Sequence, residues 1–326
     1  MSKNKFLSNL KTAFLYFVIS ICVFEAVLRI TGYLYLKKFY YDGQDRKFNT
    51  GINIICLGES STAGLWVDFE DSYPKQLESK LREYYHNADI NVIIPIHIGQ
   101  NTSQISNRIK HYIKLYRPGL IILMAGINNA WSLGESNVVK FLNNSDNDTL
   151  KIKSLVMLNN SRTFKMLRFL YLKFIIKENS KHILANRYSF IGFPQFSRFP
   201  PQKWIYDFAI THKDSFVKMW RYDISNIIEE SKKSNIRVLL MTYHINSNSY
   251  ISIDEFISLA ARENIPLIRN DDTFNAITKQ ESIKKYLLRD NWHPNKEGYS
   301  IIANNIFRYI KDQDVLNLNT TSSGQW

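Results

Sequence analysis

The chain has 326 residues, of which 45% are hydrophobic and 22% charged, and its formal net charge is +13. This length suits one large domain or two small ones, and the balance of apolar and charged residues is that of a folded globular protein. The two Cys exclude a disulfide framework and a Cys-rich zinc module, and the 12 Gly and 8 Pro exclude a collagen-like chain.

The positive charge is concentrated in two stretches of the chain. Residues 1–50 carry a net charge of +5 and residues 151–220 a net charge of +10, so the remaining residues carry −2. Such asymmetry indicates an anionic partner, either nucleic acid or a phospholipid surface. Because the sequence has no zinc-finger, RNP, helix-turn-helix or Walker pattern, we expect a membrane partner and no nucleic acid.

Residues 12–36 form an apolar stretch of about 25 residues, long enough to cross a bilayer. Glu25 and Arg29 interrupt it, but they are four residues apart and can pair on one helix face. No small-residue cleavage site follows, so we predict a retained single-pass anchor rather than a signal peptide. The alternative is an amphipathic helix docked on the soluble domain. Residues 1–11 would form a short basic tail inside, residues 37–50 a linker, and the rest would be extracytoplasmic.

After the linker, short apolar runs alternate with helical patterns. This alternation predicts a parallel sheet with helices on both faces, and the active site of such a sheet lies beyond the carboxyl ends of its strands. Pro95 places the second strand at an edge of the sheet or in a bulge. The predicted strands are 53–57, 90–98, 120–125, 236–242 and 265–268, and the predicted helices are 73–85, 103–115, 216–231, 254–262 and 300–310.

Polar segments follow the first three strands, and another precedes the last helix. Ser60 lies in a turn between strand and helix, but a serine hydroxyl is a weak nucleophile until a base takes its proton. His293 can be that base, because Asp290, three residues earlier, can fix its tautomer. An oxyanion needs donors already directed at it. The candidate donors are the backbone N–H of Ser60, the N–H of Gly99 and the side-chain amide of Asn128.

These segments, in this order, resemble the sequence blocks of the SGNH (GDSL-like) hydrolases. The family's four namesake residues fall on Ser60, Gly99, Asn128 and His293, with Asp290 as the third triad member. The resemblance covers residues 51–312 except most of 137–215, and includes Tyr73-Pro74 before Leu77. It implies a flavodoxin-like three-layer α/β/α fold and ester-directed chemistry without metal or cofactor. Members cleave acyl or acetyl esters of lipids, sugars and polysaccharides, and some membrane-tethered relatives remove or transfer acetyl groups on cell-surface glycans.

The chain departs from the family pattern in the first and third blocks. Glu59 stands where Asp is usual, at a position that does not carry the reaction. Asn129 also replaces an Asp, which keeps the hydrogen-bonding capacity but loses the charge. The second block is the loosest match, and its alignment could slip by one residue from Gly99.

Other readings of individual residues remain open on the sequence alone. Ser60 could be a helix N-cap, a role that Ser often takes. Asp271 or Asp272 could orient His293 instead of Asp290, although the short Asp-x-x-His spacing favours Asp290. His244 follows the fourth strand and could contact substrate. Trp292 could form a wall of the acyl pocket or cover the sheet.

Residues 137–215 are too long for an ordinary connection between strand and helix. We predict a polar loop at 143–149, a basic amphipathic helix at 161–177 capped by Ser161, and an irregular aromatic loop at 190–204 that serves as a lid or substrate rim. The basic helix could lie in a membrane interface or pack on the catalytic domain.

The sequence therefore predicts a membrane-anchored serine ester hydrolase that acts on a small-molecule, glycan or lipid ester. The catalytic domain spans residues 51–316, with the basic aromatic insertion at 137–215 and a flexible tail at 317–326. An O-acyltransferase that modifies a cell-surface glycan is the first alternative. A non-catalytic protein that binds a glycan or a partner through the same fold is the second.

Overall fold

The computed structural model describes residues 3–36, 51–86, 89–95, 99–130, 132–143, 147–171, 174, 200–245 and 251–318. Five strands form one parallel sheet with the order β2-β1-β3-β4-β5. This is the strand order of flavodoxin-like doubly wound folds, which confirms the predicted fold class. The strands are β1 (Ile52–Gly58), β2 (Ile90–Ile93), β3 (Leu120–Met124), β4 (Arg237–Met241) and β5 (Leu267–Ile268).

β1 and β3 lie inside the sheet and are buried on both faces, and their sequences are accordingly continuous apolar runs. β1 pairs with β3 up to the level of Gly58 and Met124, so the segments that follow these strands emerge side by side. β2 is an edge strand that ends at Ile93, and Pro95 lies just beyond it, where its missing N–H costs no ladder bond. The last three residues of the predicted second strand, 96–98, lie outside the described residues.

Helices cover both faces of the sheet. α3 (Tyr73–Tyr85) packs against α11 (Lys296–Asp312), and α4 (Thr102–Tyr116) packs against α8 (Lys213–Lys233), with the sheet between the two layers. The predicted helices at 73–85, 103–115, 216–231, 254–262 and 300–310 are all present, with ends that differ by up to four residues. The helices of residues 51–318 outside the insertion are α2 (Ser60–Ala63), α3 (Tyr73–Tyr85), α4 (Thr102–Tyr116), α8 (Lys213–Lys233), α9 (Ile253–Glu263), α10 (Asn270–Thr278) and α11 (Lys296–Asp312).

The described part of the insertion is mostly helical. It contains a 3₁₀ turn (Asn137–Lys140), α5 (Asn147–Asn160), α6 (Arg162–Leu170) and α7 (Pro200–Thr211). The predicted polar loop at 143–149 is wrong for its last three residues, which begin α5. The predicted irregular loop at 190–204 is wrong for residues 200–204, because two consecutive prolines can open the first turn of α7 without losing a helical hydrogen bond. Residues 190–199 lie outside the described residues.

Ser161 caps α6 as predicted, because its hydroxyl oxygen accepts a hydrogen bond from the N–H of Phe164 at 3.1 Å. The predicted helix at 161–177 ends as an α-helix at Leu170. Residues 172–173 and 175–177 lie outside the described residues.

The N-terminal helix α1 spans Lys3–Leu36 and is longer than the predicted anchor at 12–36. Within it, residues 9–32 are apolar and long enough to cross a membrane. The predicted pair of Glu25 and Arg29 is present as an ion pair of 2.8 Å. The predicted linker at 37–50 and residues 319–326 of the predicted tail lie outside the described residues.

Candidate active site

The segment after β1 presents Ser60 at the carboxyl edge of the sheet. Ser60 is the first residue of α2, and Glu59 occupies the N-cap position, so Ser60 is not the helix cap that the alternative reading allowed. A Cβ added to Gly58 would lie 2.0 Å from the Thr62 hydroxyl oxygen and 2.6 Å from the carbonyl oxygen of Met124. Only glycine therefore allows the strand to turn into α2 this close to β3.

The structure brings the side chains of Ser60, His293 and Asp290 into one hydrogen-bonded series. Nε2 of His293 lies 2.8 Å from Oγ of Ser60, and Nδ1 of His293 lies 2.5 Å from Oδ2 of Asp290. Oδ1 of Asp290 accepts the N–H groups of Trp292 and His293, both at 3.0 Å. Oδ1 of Asp290 thus holds the loop. Oδ2 holds the imidazole ring in the tautomer that carries the ring proton on Nδ1. Nε2 is then free to accept the proton of Ser60.

The electrostatics of the site favour a neutral imidazole. Burial lowers the pKa of His293, and the hydrogen bond and charge of Asp290 oppose this. Burial also acts on Asp290, but hydrogen bonds from the His293 imidazole and two N–H groups lower its pKa overall. At neutral pH the pair is therefore a neutral histidine beside a carboxylate, which is the state required of a general base.

The two other carboxylates considered for orienting His293 are bound elsewhere. Oδ1 of Asp271 accepts hydrogen bonds from the Thr242 hydroxyl at 2.5 Å and from Arg269 at 2.9 Å. Asp272 also pairs with Arg269, at 2.8 Å. Of the three acidic candidates, the structure places only Asp290 on His293.

Two aromatic side chains flank the triad. Trp66 contacts the His293 ring edge-on, with 5.0 Å between ring centroids, and its own φ of 66° is rare for a bulky residue. Sequence reasoning missed Trp66, although an aromatic residue just after the nucleophile turn was a signal that could have been used. Trp292 packs against Tyr243 and His244, with ring centroids 6.4 and 6.0 Å apart, so it covers the sheet edge.

His244 supports the loop of the triad. Its Nε2 lies 2.7 Å from the carbonyl oxygen of Trp292, and since a carbonyl only accepts, Nε2 carries the proton and donates. Burial lowers the pKa of His244 to about 4, which keeps the ring neutral. The predicted substrate contact by His244 stays a prediction, while its contact with the Asp290–His293 loop is present in the structure.

Glu59 joins the first block to the third. Its Oε1 accepts the N–H groups of Gly126 at 2.9 Å and Asn128 at 3.1 Å, and its Oε2 accepts the hydroxyl of Tyr243 at 2.7 Å. The side chain is 2% exposed, and burial raises its pKa to about 7. The sequence indicates only that position 59 does not carry the reaction, whereas in the structure Glu59 fixes the backbone around Asn128.

A second buried network shows what an amide does at position 129. Oδ1 of Asn129 accepts the N–H of Thr102, and its Nδ2 donates to the Thr102 hydroxyl oxygen, both at 2.8 Å. That hydroxyl in turn donates its proton to Asp223 at 2.8 Å. Because the Thr102 proton is already used, position 129 must supply a donor, which an amide can and a carboxylate cannot. The negative charge is carried by Asp223 on α8 instead.

The predicted oxyanion donors lie at the same edge of the sheet as Ser60. The amide of Gln100 donates to the carbonyl oxygen of Gly58 at 2.6 Å, which holds the segment after Gly99 against the first block. Gly99 has a φ of 76°, a conformation that suits glycine. The backbone N–H of Asn128 is bound to Glu59, which leaves its side-chain amide for other partners. The role of Gly99 and Asn128 in holding an oxyanion stays a prediction.

Across the part of the chain that the structure describes, no group of three or more His, Cys, Asp and Glu side chains could hold a metal ion.

No family model matches the chain, and no curated protein matches it. Its structure is similar to a psychrotrophic esterase from Pseudoalteromonas sp., with 15% identity and a TM-score of 0.45 over 80% of this chain and 97% of that chain. It is also similar to an acetyl xylan esterase, with 17% identity and a TM-score of 0.47 over 79% of this chain and 100% of that chain. A lipase/acylhydrolase from Enterococcus faecalis is a third such structure, with 15% identity and a TM-score of 0.45 over 80% and 96% of the two chains. These likenesses concern the fold, and the chemistry of the site rests on the residues of this chain.

Proposed function

We propose that the chain is a serine ester hydrolase in which Ser60, His293 and Asp290 act as the catalytic triad. The observation that carries this proposal is the continuous series of hydrogen bonds from Ser60 Oγ through the His293 ring to Asp290. A serine hydroxyl beside a neutral, oriented imidazole is the arrangement that activates oxygen for attack on a carbonyl.

Acylation begins when Oγ of Ser60 attacks the ester carbonyl carbon and its proton passes to Nε2 of His293. The carbonyl π pair moves to oxygen, and the resulting imidazolium is stabilised by the carboxylate of Asp290. When the intermediate collapses, the alkoxide leaves and takes the proton from His293, so the free alcohol departs and an acyl ester remains on Ser60. Water then repeats these steps, releases the carboxylic acid and restores the Ser60 hydroxyl.

The oxyanion would be held by the N–H groups of Ser60 and Gly99 and by the side-chain amide of Asn128. Glu59 supports this assignment, because it accepts the backbone N–H of Asn128 and so fixes the position of that residue. Removing one such donor lowers the rate by about a hundredfold to a thousandfold in comparable sites.

We further propose that α1 spans a membrane once and holds the catalytic domain on the extracytoplasmic side. An apolar helix of this length supports the span. An anchored enzyme meets substrates that are themselves at or near the membrane, so we propose an acyl or acetyl ester of a lipid or a glycan as the substrate class.

Covalent labelling with a fluorophosphonate probe tests the proposed nucleophile. The full-length protein should be labelled on Ser60, with the site located by mass spectrometry, and Ser60→Ala should abolish labelling. His293→Ala should reduce it strongly, because the hydroxyl then lacks its base. Ser61→Ala is the matched control, since it changes the adjacent serine of α2 and should leave labelling intact. Labelling that survives Ser60→Ala, or no labelling of folded wild type, would contradict the proposal.

A further inference from the structure

We propose that α6 is a second membrane contact, which lies in the surface of the bilayer that α1 spans and binds anionic lipid there. The proposal rests on the proposed membrane span of α1, but it does not depend on ester hydrolysis. Two features of the described residues carry it. They are a polar lock between α1 and α6, and an exposed apolar stripe on α6 with basic side chains at its start.

The lock is formed by Glu25 of α1 and the first turn of α6. One oxygen of Glu25 accepts the N–H of Arg162 at 2.9 Å, and the other accepts the N–H of Thr163 at 2.7 Å and the hydroxyl of Ser161 at 2.9 Å. Arg29 pairs with Glu25 and also donates to the carbonyl oxygen of Asn160 at 2.9 Å. The carboxylate thus satisfies N–H groups at the start of α6, and those groups satisfy the carboxylate.

The position of Glu25 fixes the height of α6 relative to the bilayer. Glu25 is seven residues before Gly32, the end of the apolar span, which is about 10 Å along a helix. A carboxylate at that depth needs partners, because an unpaired charge in hydrocarbon is costly. Its partners belong to α6, so the start of α6 lies at the same depth as Glu25, inside the end of the apolar span. The nine residues of α6 extend only about 13 Å from there.

α6 has an exposed apolar stripe that suits this location. Leu170 and Tyr171 follow Leu167 by three and four residues, and Tyr171 comes directly after the last residue of α6, so the three lie on one side of this segment. They are 56%, 37% and 51% exposed in the structure. Met157 and Leu158, at the end of α5 next to the lock, are also exposed. Apolar side chains on one face of a basic helix are the pattern of segments that lie in a membrane interface.

The charges at the start of α6 indicate anionic lipid. Arg162 and Lys165 form no ion pair within the described part of the chain. Burial lowers the pKa of Lys165, and the neighbouring Arg162 and Arg108 lower it further against the opposing effect of Glu135. The positive side chains at the start of α6 outnumber their acidic partners in the described part of the chain, so a lipid phosphate would be a favourable neighbour.

Spin labels on the full-length protein test the contact. The background variant is Cys22→Ser, because Cys22 is exposed while Cys56 is buried. Single cysteines replace Leu167 and Leu170, each carries a nitroxide, and the protein is placed in vesicles of phosphatidylcholine and phosphatidylglycerol. Lipid-soluble oxygen should relax both labels more strongly than a water-soluble nickel complex does. Val18→Cys in α1 reports the span, and Ile257→Cys, an exposed apolar position on α9, is the aqueous control.

Each outcome of this experiment is decisive. If the labels at Leu167 and Leu170 are as accessible to nickel as the Ile257→Cys label, the proposal is overturned. The anchor is retained in that case if the Val18→Cys label is accessible to oxygen and not to nickel. A Val18→Cys label exposed to nickel overturns the anchor itself. Dipolar broadening at Leu167 that disappears on dilution with unlabelled protein would mean that a second copy covers the stripe, which also overturns the proposal.

The lock has a test of its own. Glu25→Ala should increase the mobility and the nickel accessibility of the Leu167 label, because α6 is then released from α1. Ser20→Ala is the control, since the Ser20 hydroxyl donates to the carbonyl oxygen of Tyr16 within α1 and makes no hydrogen bond to α6 among the described residues. An unchanged Leu167 label in Glu25→Ala would show that the lock does not hold α6 at the membrane.

Discussion

His293 must be neutral to accept a proton from Ser60, so its pKa sets the acid limit of the proposed activity. Burial lowers this pKa below its ordinary value of 6.5, and Asp290 opposes the shift. We therefore expect kcat/KM for p-nitrophenyl acetate to rise with a midpoint below pH 6.5. Asp290→Asn should move the midpoint lower and reduce the plateau by about ten thousandfold, because the tautomer is no longer fixed. A midpoint above pH 6.5 in wild type would contradict this assignment.

The pKa of the buried Glu59 carboxyl lies close to the pH at which kcat/KM is expected to change. Glu59→Gln is therefore a necessary comparison with wild type. Burial raises the pKa of Glu59 from 4.5 to about 7, so folding disfavours its charged form. The stability that Glu59 contributes is full below pH 4.5 and is lost as the pH rises through 7. The melting temperature of Glu59→Gln should therefore improve relative to wild type as the pH increases. The acid midpoint of kcat/KM should not move, since it belongs to His293.

Glu59→Ala should have the opposite effect to Glu59→Gln at neutral pH. Alanine removes the carboxylate oxygen that accepts the N–H groups of Gly126 and Asn128, and losing a buried hydrogen-bond partner costs about 1–3 kcal/mol. Glutamine retains an acceptor oxygen. Thermal unfolding and kcat/KM of the two variants should therefore separate, with only Glu59→Ala strongly impaired. If Glu59→Gln and Glu59→Ala had the same thermal unfolding and kcat/KM, the hydrogen bonds that Glu59 accepts from Gly126 and Asn128 would be unimportant.

The hydrogen-bonded network of Asn129, Thr102 and Asp223 gives a further prediction. Asn129→Asp places a second carboxylate on Thr102, which is already bound by Asp223, and like charges so close disfavour each other. We expect a lower melting temperature at pH 8 and partial recovery at pH 5, where one carboxyl is protonated. The double variant Asn129→Asp, Asp223→Asn should restore stability at pH 8, because it returns one charge and one amide to the network. A double variant no more stable than Asn129→Asp would contradict this account.

The residues of the proposed triad could be predicted from the sequence, whereas their support could not. Ser60, His293 and Asp290 stand in an ordered set of motifs, and their chemistry is recognisable from residue type and position. The contacts of Glu59 and Asp223 depend on partners 67 and 121 residues away, namely Gly126 and Thr102. Only the folded chain brings such groups together.

At the scale of elements, the predictions succeeded where an apolar period is strong. α3 begins at Tyr73 and ends at Tyr85 as predicted, because its buried positions recur at helical spacing. α10 is not among the helices predicted from the sequence, and its first turn contains Asn270, Asp271 and Asp272. Acidic residues in a first helical turn are in fact favoured by the helix dipole, so the same residues begin a helix.

The start of α4 offers a test at this scale, because it carries the second block of the site. Asn101 accepts the N–H of Gln104 at 2.8 Å and donates to the carbonyl oxygens of Ser132 and Gly134. Asn101→Ala should lower stability by about 1–3 kcal/mol, since buried groups lose their partners, and should also lower kcat. Ser282→Ala, which removes the cap of an exposed 3₁₀ turn, is the control and should change little. Full activity in Asn101→Ala would show that the cap does not position the block.

At the scale of the whole molecule, polar contacts connect α1 to the helix that begins at the second block. Asn160, whose carbonyl accepts from Arg29, also accepts the N–H of Glu135 through its side chain at 2.7 Å. Glu135 pairs with Arg108 of α4 at 2.9 Å. α1 is thus tied to the rest of the fold through the insertion, so the proposed membrane span and the proposed catalytic site keep a fixed relation to each other.

This connection predicts that α6 matters for esters held in a membrane and not for soluble ones. In the variant Leu167→Ser, Leu170→Ser, we expect normal hydrolysis of p-nitrophenyl acetate in solution, because neither side chain contacts the triad. Hydrolysis of an acyl ester embedded in phosphatidylcholine–phosphatidylglycerol vesicles should fall, since α6 no longer holds the cleft at the lipid surface. Ile257→Ser removes an exposed apolar side chain of α9 and should leave both rates unchanged. Equal loss on both substrates would mean that the variant damages the fold, and no loss on either would mean that α1 alone positions the enzyme.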